Sequence, residues 1–272
     1  MNKLWFLFLA ASLLIGAGGC SKKSPTTTVQ SKMVFGEIAS WGATAEILGE
    51  PTPDPASTSA RAHYDTVQFR LFQMEVDPGR IVLRGNVFSP PPAGTLCSLV
   101  VSSNLGGSRG AVPLPGPSWF TRPHGGDTLP RGDVQLSWTN SEGANWFEVQ
   151  VSCYGYDSLG RWLGYADTVL VVYDTLAVIP AGFLHPYPSS LYVSVYARNY
   201  PHTGSKPGWQ TGNMIGDIRG FLIGTGYGGS VGFYVGTPPP GPGVLNPGDM
   251  TPVSEDRRRA FLLRAFGLAG SD

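Results

Sequence analysis

The sequence predicts an all-β protein. Charged residues make up 14% of the 272-residue chain, compared with about 25% in ordinary soluble domains. The chain contains 37 Gly and 24 Pro, which are residues that favour turns. Between these turns, apolar residues recur at every second position, which is the period of a half-buried β-strand. We therefore expect two β-sandwich domains, over residues 33–117 and 118–236.

The first predicted domain contains a recognisable hairpin. Within residues 66–76 the apolar alternation changes phase near Leu71 and Phe72, and a β-bulge would explain this change. Asp77-Pro78-Gly79 follows; here proline presets a bend and glycine tolerates a positive φ. Residues 81–88 follow and are rich in β-branched and other apolar residues, so we expect them to form the partner strand.

The second predicted domain carries an aromatic pattern. Trp138 ends one alternating segment, Phe147 opens an aromatic-x-Val-x-Val segment, and residues 191–199 alternate again. Over about residues 118–200 this pattern resembles fibronectin type III domains, a branch of the immunoglobulin-like sandwiches. The resemblance implies an immunoglobulin-like fold and no particular activity. We expect two such sandwiches, the second ending in a closing hairpin of residues 217–223 and 230–235.

The N-terminus has the composition of an export signal. Lys3 precedes about 12 apolar residues, and Gly18 and Gly19 precede Cys20. This arrangement resembles a bacterial lipoprotein signal peptide over residues 1–19, in which the apolar segment forms a short signal helix. The resemblance implies cleavage before Cys20, lipid attachment to Cys20 and anchoring to the cell envelope. Because Ser21 rather than Asp follows, we expect the outer membrane. Ordinary signal cleavage nearby is the alternative.

Three further segments lie outside the predicted domains. Residues 20–32 form a polar tether with too little apolar content to pack. Residues 237–253 are a Pro/Gly-rich linker. Residues 254–267 predict a short amphipathic helix, since Ser254 can cap its N-terminus and Gly267 suits its C-terminal end. Its apolar face could pack on a sandwich, or it could dock on a partner or a membrane surface.

The remaining cysteines leave two readings open. In an oxidising compartment Cys97 and Cys153 could form a disulfide. Each also alternates in phase with the apolar residues of its own segment, which instead favours two buried thiols. The four histidines are scattered and there is no CxxC spacing, so we expect no metal site and no cofactor. A net charge of zero argues against a nucleic-acid partner.

Several short motifs match known functional patterns in residue type and spacing, but they lack the structural context that the function needs. Gly224, Gly226 and Gly229 satisfy the dinucleotide fingerprint, but a strand is expected to follow them where the fingerprint needs a helix. Two GxSxG strings, centred on Ser108 and Ser230, lack the strand-turn-helix context of a hydrolase. Arg131-Gly132-Asp133 matches an adhesion tripeptide, but it lies where a loop is expected to enter a strand. Turn chemistry accounts for all of these motifs.

The sequence therefore predicts a membrane-anchored, non-catalytic binding or structural module with a protein or glycan partner. One alternative is an exported polysaccharide-active enzyme or carbohydrate-binding protein. The enzyme would need two carboxylates about 5 to 9 Å apart in an aromatic-lined cleft. Another alternative is an envelope-assembly subunit that uses its C-terminal helix. The glutamates are too few and too scattered along the sequence to nominate a catalytic pair among Glu46, Glu50, Glu75, Glu142 and Glu148, so we expect no catalytic residue. Candidate rings for stacking on sugars are Trp119, Trp146, Trp162, Trp209, Tyr154, Tyr156, Tyr165 and Tyr187.

Overall fold

The computed structural model describes residues 32–237, apart from 88, 90, 187 and 200–211, together with 253, 254, 257, 258 and 260. These residues form 17 β-strands and two 3-10 turns, Pro55–Ser57 and Ala181–Phe183. The predicted all-β class is therefore confirmed. The signal peptide, Cys20 and all of the tether except Lys32 lie outside the described residues. So do most of the linker and most of the C-terminal helix.

Seven strands come from the N-terminal half of the chain. They are β1 (Lys32–Ala39), β2 (Gly42–Gly49), β3 (Ser59–Tyr64), β4 (Val67–Asp77), β5 (Arg80–Asn86), β6 (Leu96–Ser103) and β7 (Gly106–Pro113). Small turns join them in antiparallel pairs, and apolar side chains of one phase point inward. The enclosed core includes Ile38, Ile47, Leu71 and Leu99.

Two strands from much later in the chain close this sheet. They are β15 (Met214–Gly216) and β16 (Gly220–Thr225). The order is β1-β2-β5-β4-β3-β6-β7-β15-β16, and β16 pairs back onto β1 in parallel. We call this nine-stranded ring the closed sheet. Because β1 and β16 pair with each other, the closed sheet does not expose the unpaired backbone groups that the edge strands of an open sheet would expose.

The predicted sandwich over residues 33–117 is therefore wrong. Its strands belong to the closed sheet, which also takes residues 214–225 from the second predicted domain. The physical reason is that alternation of apolar and polar residues shows that one face of a strand is buried. It does not show whether that face lies in a sandwich or inside a ring. The predicted count of two domains stays a prediction.

The predicted hairpin is confirmed as β4 and β5. Asp77 pairs with Arg80 across the turn, and Gly79 has a φ of 77°. The bulge lies between Gln73 and Glu75, a few residues after the predicted position near Leu71 and Phe72. The change of apolar phase in the sequence therefore did mark a shift in strand register.

The remaining strands form a two-sheet sandwich. They are β8 (Phe120–Arg122), β9 (Thr128–Leu129), β10 (Val134–Trp138), β11 (Trp146–Tyr156), β12 (Trp162–Val172), β13 (Leu176–Ile179), β14 (Ser189–Asn199) and β17 (Ser230–Val235). One sheet has the order β13-β10-β8, and the other runs β12-β11-β14-β17-β9. Trp138 and Phe147 pack edge to face between them with ring centroids 5.5 Å apart. The immunoglobulin-like fold predicted for residues 118–236 is thus present, without residues 214–225.

The predicted closing hairpin of residues 217–223 and 230–235 is wrong. β16 pairs with β1, β15 and β14, whereas β17 pairs with β14 and β9. The glycine-rich segment between them carries the chain from the closed sheet to the sandwich. At Gly228 a Cβ would overlap the carbonyl oxygen of Val195. The glycines therefore allow a close backbone crossing and form neither a hairpin turn nor a nucleotide-binding loop.

Gly220 is the glycine on which closure of the sheet depends. It lies opposite Val34 in the parallel β1–β16 pair, and a Cβ there would overlap the Val34 carbonyl oxygen. We expect Gly220→Ala to lower the free energy of unfolding by about 1–3 kcal/mol, because the two backbones must separate. Denaturant titration would measure this loss. Gly125→Ala is the matched control, since nothing lies within 4 Å of a Cβ at that position, and an equal loss in both variants would contradict the assignment.

The described part of the C-terminal segment makes two contacts with Ser254. The Arg257 amide donates to the Ser254 hydroxyl at 3.4 Å, and the Arg258 amide donates to the Ser254 carbonyl at 2.9 Å. This is the geometry of a capped helix N-terminus. The helix over residues 254–267 stays a prediction. Within the part of the chain that the structure describes, no helix has the length and apolar content needed to cross a membrane.

Candidate functional site

The closed sheet and the sandwich pack against each other through their outer faces. Met33, Trp146, Phe221 and Ile223 are buried together there. Trp146 belongs to the face of β11 that points away from the sandwich core, and Phe221 to the face of β16 that points away from the closed sheet. This small cluster therefore joins the two parts of the fold, and we call it the junction. A polar site lies beside it.

Two carboxylates and two guanidinium groups form an ion-pair network at the junction. Arg198 donates to Glu37 at 2.6 Å and to Glu148 at 2.5 Å. Arg258 donates to Glu37 at 2.8 Å and to Glu148 at 2.6 Å. Each carboxylate thus contacts both cations, and the four groups carry no net charge. Thr225 adds a hydroxyl that donates to Glu37 at 2.8 Å and accepts from Arg198.

Each member of the ion-pair network comes from a different part of the chain. Glu37 lies on β1, Glu148 on β11, Arg198 on β14, and Arg258 in the C-terminal segment. The side chains of Glu148 and Arg198 are 0% and 1% exposed, and those of Glu37 and Arg258 are 14% and 13% exposed. Charges so deeply buried are tolerated only when they are paired. The network therefore connects the closed sheet, the sandwich and the C-terminal segment.

The arginines control the ionisation of both carboxylates. Burial alone would raise the pKa of Glu37, but the charges of Arg258 and Arg198 outweigh burial and hold its pKa well below the usual range. Burial likewise opposes a lower pKa for Glu148, and Arg198 and Arg258 again prevail, so that its pKa is lowered. Burial would lower the pKa of Arg258, yet Glu148 and Glu37 raise it further above its ordinary value. All three groups are charged at neutral pH.

This ionisation limits the chemistry of the ion-pair network. A glycosidase acid must hold a proton near neutral pH, which requires a raised carboxyl pKa. Glu37 and Glu148 have lowered pKa values. Both of them also direct their oxygens at guanidinium groups. The arrangement is suited to holding segments together and to presenting hydrogen-bond donors.

A cavity of about 280 Å³ opens beside the ion-pair network. One wall is the outer surface of the closed sheet, with Trp41, Thr44, Arg84 and Asn86 among its residues. The opposite wall is the sandwich, and the lining there is Gln150, Tyr196 and Arg198. The C-terminal segment completes the lining with Val253 and Arg258. The cavity is therefore polar and aromatic, and it is formed by all three parts that the network connects.

The cysteines occupy two separate cores. Cys97 is buried inside the closed sheet and Cys153 inside the sandwich, and both are free thiols. Burial raises the pKa of the Cys97 thiol to about 12 and also raises the pKa of Cys153. Thiols of this kind react slowly, because the thiolate is the nucleophile. Cys20, the predicted lipid-attachment residue, lies outside the described residues.

The other candidate residues are dispersed. Of the predicted stacking rings, Trp119 and Trp162 are exposed, whereas Trp146 and Tyr156 are buried. Trp209 and Tyr187 lie outside the described residues. Of the five glutamates that the sequence analysis considered without nominating a pair, Glu148 is the one that belongs to the ion-pair network. No group of three metal-ligating side chains occurs among the residues that the structure describes.

Sequence reasoning missed Glu37, Arg198, Arg258 and Trp41. A usable signal was present at β1, where apolar residues occupy both faces, with Met33 and Phe35 on one and Val34 and Ile38 on the other. A strand that is apolar on both faces is covered on both sides. Glu37 stands in such a strand, so burial and pairing of its carboxylate could have been inferred from the sequence, but we did not infer them. Its partners are 161 and 221 residues away in sequence, and no local pattern could have named them.

Comparison with known proteins identifies similar solved structures, but it does not identify a protein family. No protein-family model and no curated protein matches the sequence. Among solved structures, the Ig1-2 module of the Drosophila receptor protein tyrosine phosphatase DLAR is 10% identical, with a TM-score of 0.27, and covers 77% of this chain and 97% of that chain. Chicken CNTN1 FN1-FN3 domains are 11% identical, with a TM-score of 0.23, and cover 75% and 65%.

A third solved structure is an enzyme. Type I pullulanase from Bacillus subtilis str. 168, complexed with maltose, is 10% identical with a TM-score of 0.21, and the match covers 61% of this chain and 23% of that chain. Immunoglobulin and fibronectin type III domain proteins thus occur among the structural neighbours. All three TM-scores are low, and the fold assignment rests on the strand order described above.

Proposed function

We propose that this chain is an exported lipoprotein that acts as a non-catalytic binding or structural module at the cell envelope. The observation that carries the non-catalytic part is the ion-pair network. Each of its buried carboxylates is bonded to two guanidinium groups, and each has a lowered pKa. Such carboxylates stabilise a scaffold and hold no proton to transfer. Hydrolysis of an envelope polysaccharide by the purified protein, abolished in Glu148→Gln, would contradict this part.

The location rests on the N-terminal residues. Gly18 and Gly19 precede Cys20, as in bacterial lipoproteins, and a polar tether follows. One saturated chain gives only marginal membrane binding, whereas two or more chains anchor a protein stably at about 0.8 kcal/mol per buried CH₂. Lipid on Cys20 would hold the described fold near the membrane surface, and Ser21 favours the outer membrane of a two-membrane envelope.

Replacing Cys20 with serine should release the protein from membranes. Serine offers no thiol for lipid attachment, so we expect the variant to move from the membrane fraction to the soluble fraction or to remain uncleaved. Cell fractionation with immunoblotting measures the distribution, and intact-protein mass spectrometry measures the lipid.

The neighbouring variant Ser21→Ala is the matched control for this experiment. It should carry the lipid and stay with the membranes. Equal membrane association of Cys20→Ser and the parent protein, with no lipid mass on either, would overturn the proposed anchor.

A further inference from the structure

The cavity at the junction has the features of a ligand site. Its volume of about 280 Å³ is close to the lower end of small-molecule pockets, which span about 300–1,000 Å³. Residues from the closed sheet, the sandwich and the C-terminal segment line it together. Three of the lining residues, Glu37, Arg198 and Arg258, are already held in place by the ion-pair network, so little ordering of these groups would be needed on binding.

Trp41 provides an aromatic surface at this cavity. It is 43% exposed, and its ring lies 6.2 Å from that of Tyr196, tilted by 58°. The indole therefore has open surface beside a second aromatic ring. An exposed tryptophan at a polar cavity is a typical feature of binding sites, because the ring offers a large apolar face at little cost in conformational entropy.

The turn that carries Trp41 is held rigidly. The buried hydroxyl of Tyr64 lies 2.8 Å from the carbonyl oxygen of Ala39 and 2.7 Å from that of Gly42, on either side of the turn. The Trp41 carbonyl accepts the Val87 amide at 3.0 Å. The side chain of Tyr64 on β3 and the backbone of Val87, the residue after β5, thus fix the backbone of the turn. The exposed tryptophan consequently sits on an ordered support, which is expected of a preformed site.

The polar lining offers both donors and acceptors. Arg198 lines the cavity. Gln150 gives its amide N–H to Glu148 at 2.7 Å, which leaves its carbonyl oxygen as an acceptor. Thr44 and Asn86 add a hydroxyl and an amide. A ligand with hydroxyl groups can therefore both donate hydrogen bonds to this lining and accept them from it.

We propose that this cavity binds one pyranose ring of a saccharide. A sugar ring has an apolar face that can lie on the indole of Trp41, and its hydroxyl groups both donate and accept, as the lining requires. The ion-pair network beside the cavity is electrically neutral, and the lining also includes the guanidinium group of Arg84. The volume accommodates one ring. This inference rests on the proposed binding role and names its ligand class, whereas the lipid anchor is independent of it.

Saturation-transfer NMR on the full chain in detergent tests the site with D-glucose, D-galactose and N-acetyl-D-glucosamine as probes. We expect saturation transfer to the ring protons of at least one probe. Trp41→Ala should weaken its binding about tenfold or more, since aromatic contact and apolar burial are both lost. Trp41→Phe should retain part of the binding. Circular dichroism verifies that the variants fold.

Trp119→Ala is the matched control, because Trp119 is also exposed, pairs with Tyr227 and is absent from the cavity lining. It should bind as the parent does. No saturation transfer from any probe, equal binding by Trp41→Ala and the parent, or loss of binding in Trp119→Ala alone would overturn the proposal. The measurement needs no membrane, so a failure here leaves the anchor proposal standing, and release of Cys20→Ser leaves the saccharide site standing.

Discussion

Replacing Arg198 with methionine should lower the free energy of unfolding by about 3–5 kcal/mol. Arg198 is the side chain that bonds to both Glu37 and Glu148 from the sandwich side. Its removal leaves two carboxylates, one of them fully buried, with Arg258 as the remaining cation of the ion-pair network. Losing one partner of a buried ion pair costs more than the pair contributes, because the remaining charge stays in a medium that solvates it poorly.

Denaturant titration of the parent and the variant measures this loss. Arg161→Met is the matched control: Arg161 bonds to Asp157 at 2.6 Å, but its side chain is 75% exposed, so water can replace the bond and the loss should be small. The double variant Arg198→Met/Glu148→Met, which removes a cation and an anion together, should be more stable than Arg198→Met. Equal losses in Arg198→Met and Arg161→Met would contradict this account.

The same contacts explain why the described fold should unfold as a unit. Glu37 belongs to the closed sheet, and Glu148 and Arg198 to the sandwich. Opening the junction would therefore break the ion-pair network as well as expose the apolar cluster around Trp146. The closed sheet also depends on β15 and β16, which lie in the chain between two strands of the sandwich. Unfolding of either the closed sheet or the sandwich would therefore break contacts that stabilise the other.

The sandwich could be predicted because its signals are local. The Trp138 strand and the Phe147 strand alternate with one apolar phase, and their order along the chain matches a known pattern. The closed sheet could not be predicted in the same way. Its closing pair, β1 with β16, joins segments almost the whole length of the described chain apart, and each of these segments alone resembles an ordinary sandwich strand.

The site escaped prediction for a related reason. Glu148 and Gln150 alternate with the buried Val149 and Val151, and this pattern is typical of a strand with one solvent-facing side. Their outward face is instead covered by the closed sheet. Alternation shows which residues share a face and leaves open what covers that face. Both the buried charges and the cavity arise where two outer faces meet, so only the assembled fold could reveal them.

Acid should destabilise the protein through the ion-pair network. The pKa values of Glu37 and Glu148 lie below the ordinary value of 4.5, so the folded protein binds their protons less readily than the unfolded chain does. Their contribution to stability is complete above about pH 5 and is lost as the pH falls towards their folded-state pKa values. At about 1.4 kcal/mol per unit of pKa difference, we expect Glu37 to contribute a loss of about 2 kcal/mol between pH 6 and pH 3, and Glu148 to contribute a further loss in the same direction.

Denaturant titrations at several pH values between 6 and 3 measure this dependence. Glu37→Gln removes one of the two titrating groups but keeps an amide oxygen that can accept from Arg198 and Arg258, so its stability should fall less steeply with acid than that of the parent. Glu142→Gln, which removes an exposed carboxylate outside the ion-pair network, is the matched control and should follow the parent. Parallel curves for Glu37→Gln and the parent would mean that acid acts elsewhere in the molecule. A shallower curve for Glu37→Gln alone would locate the effect in the buried pairs, because a change in overall charge would act equally in both variants.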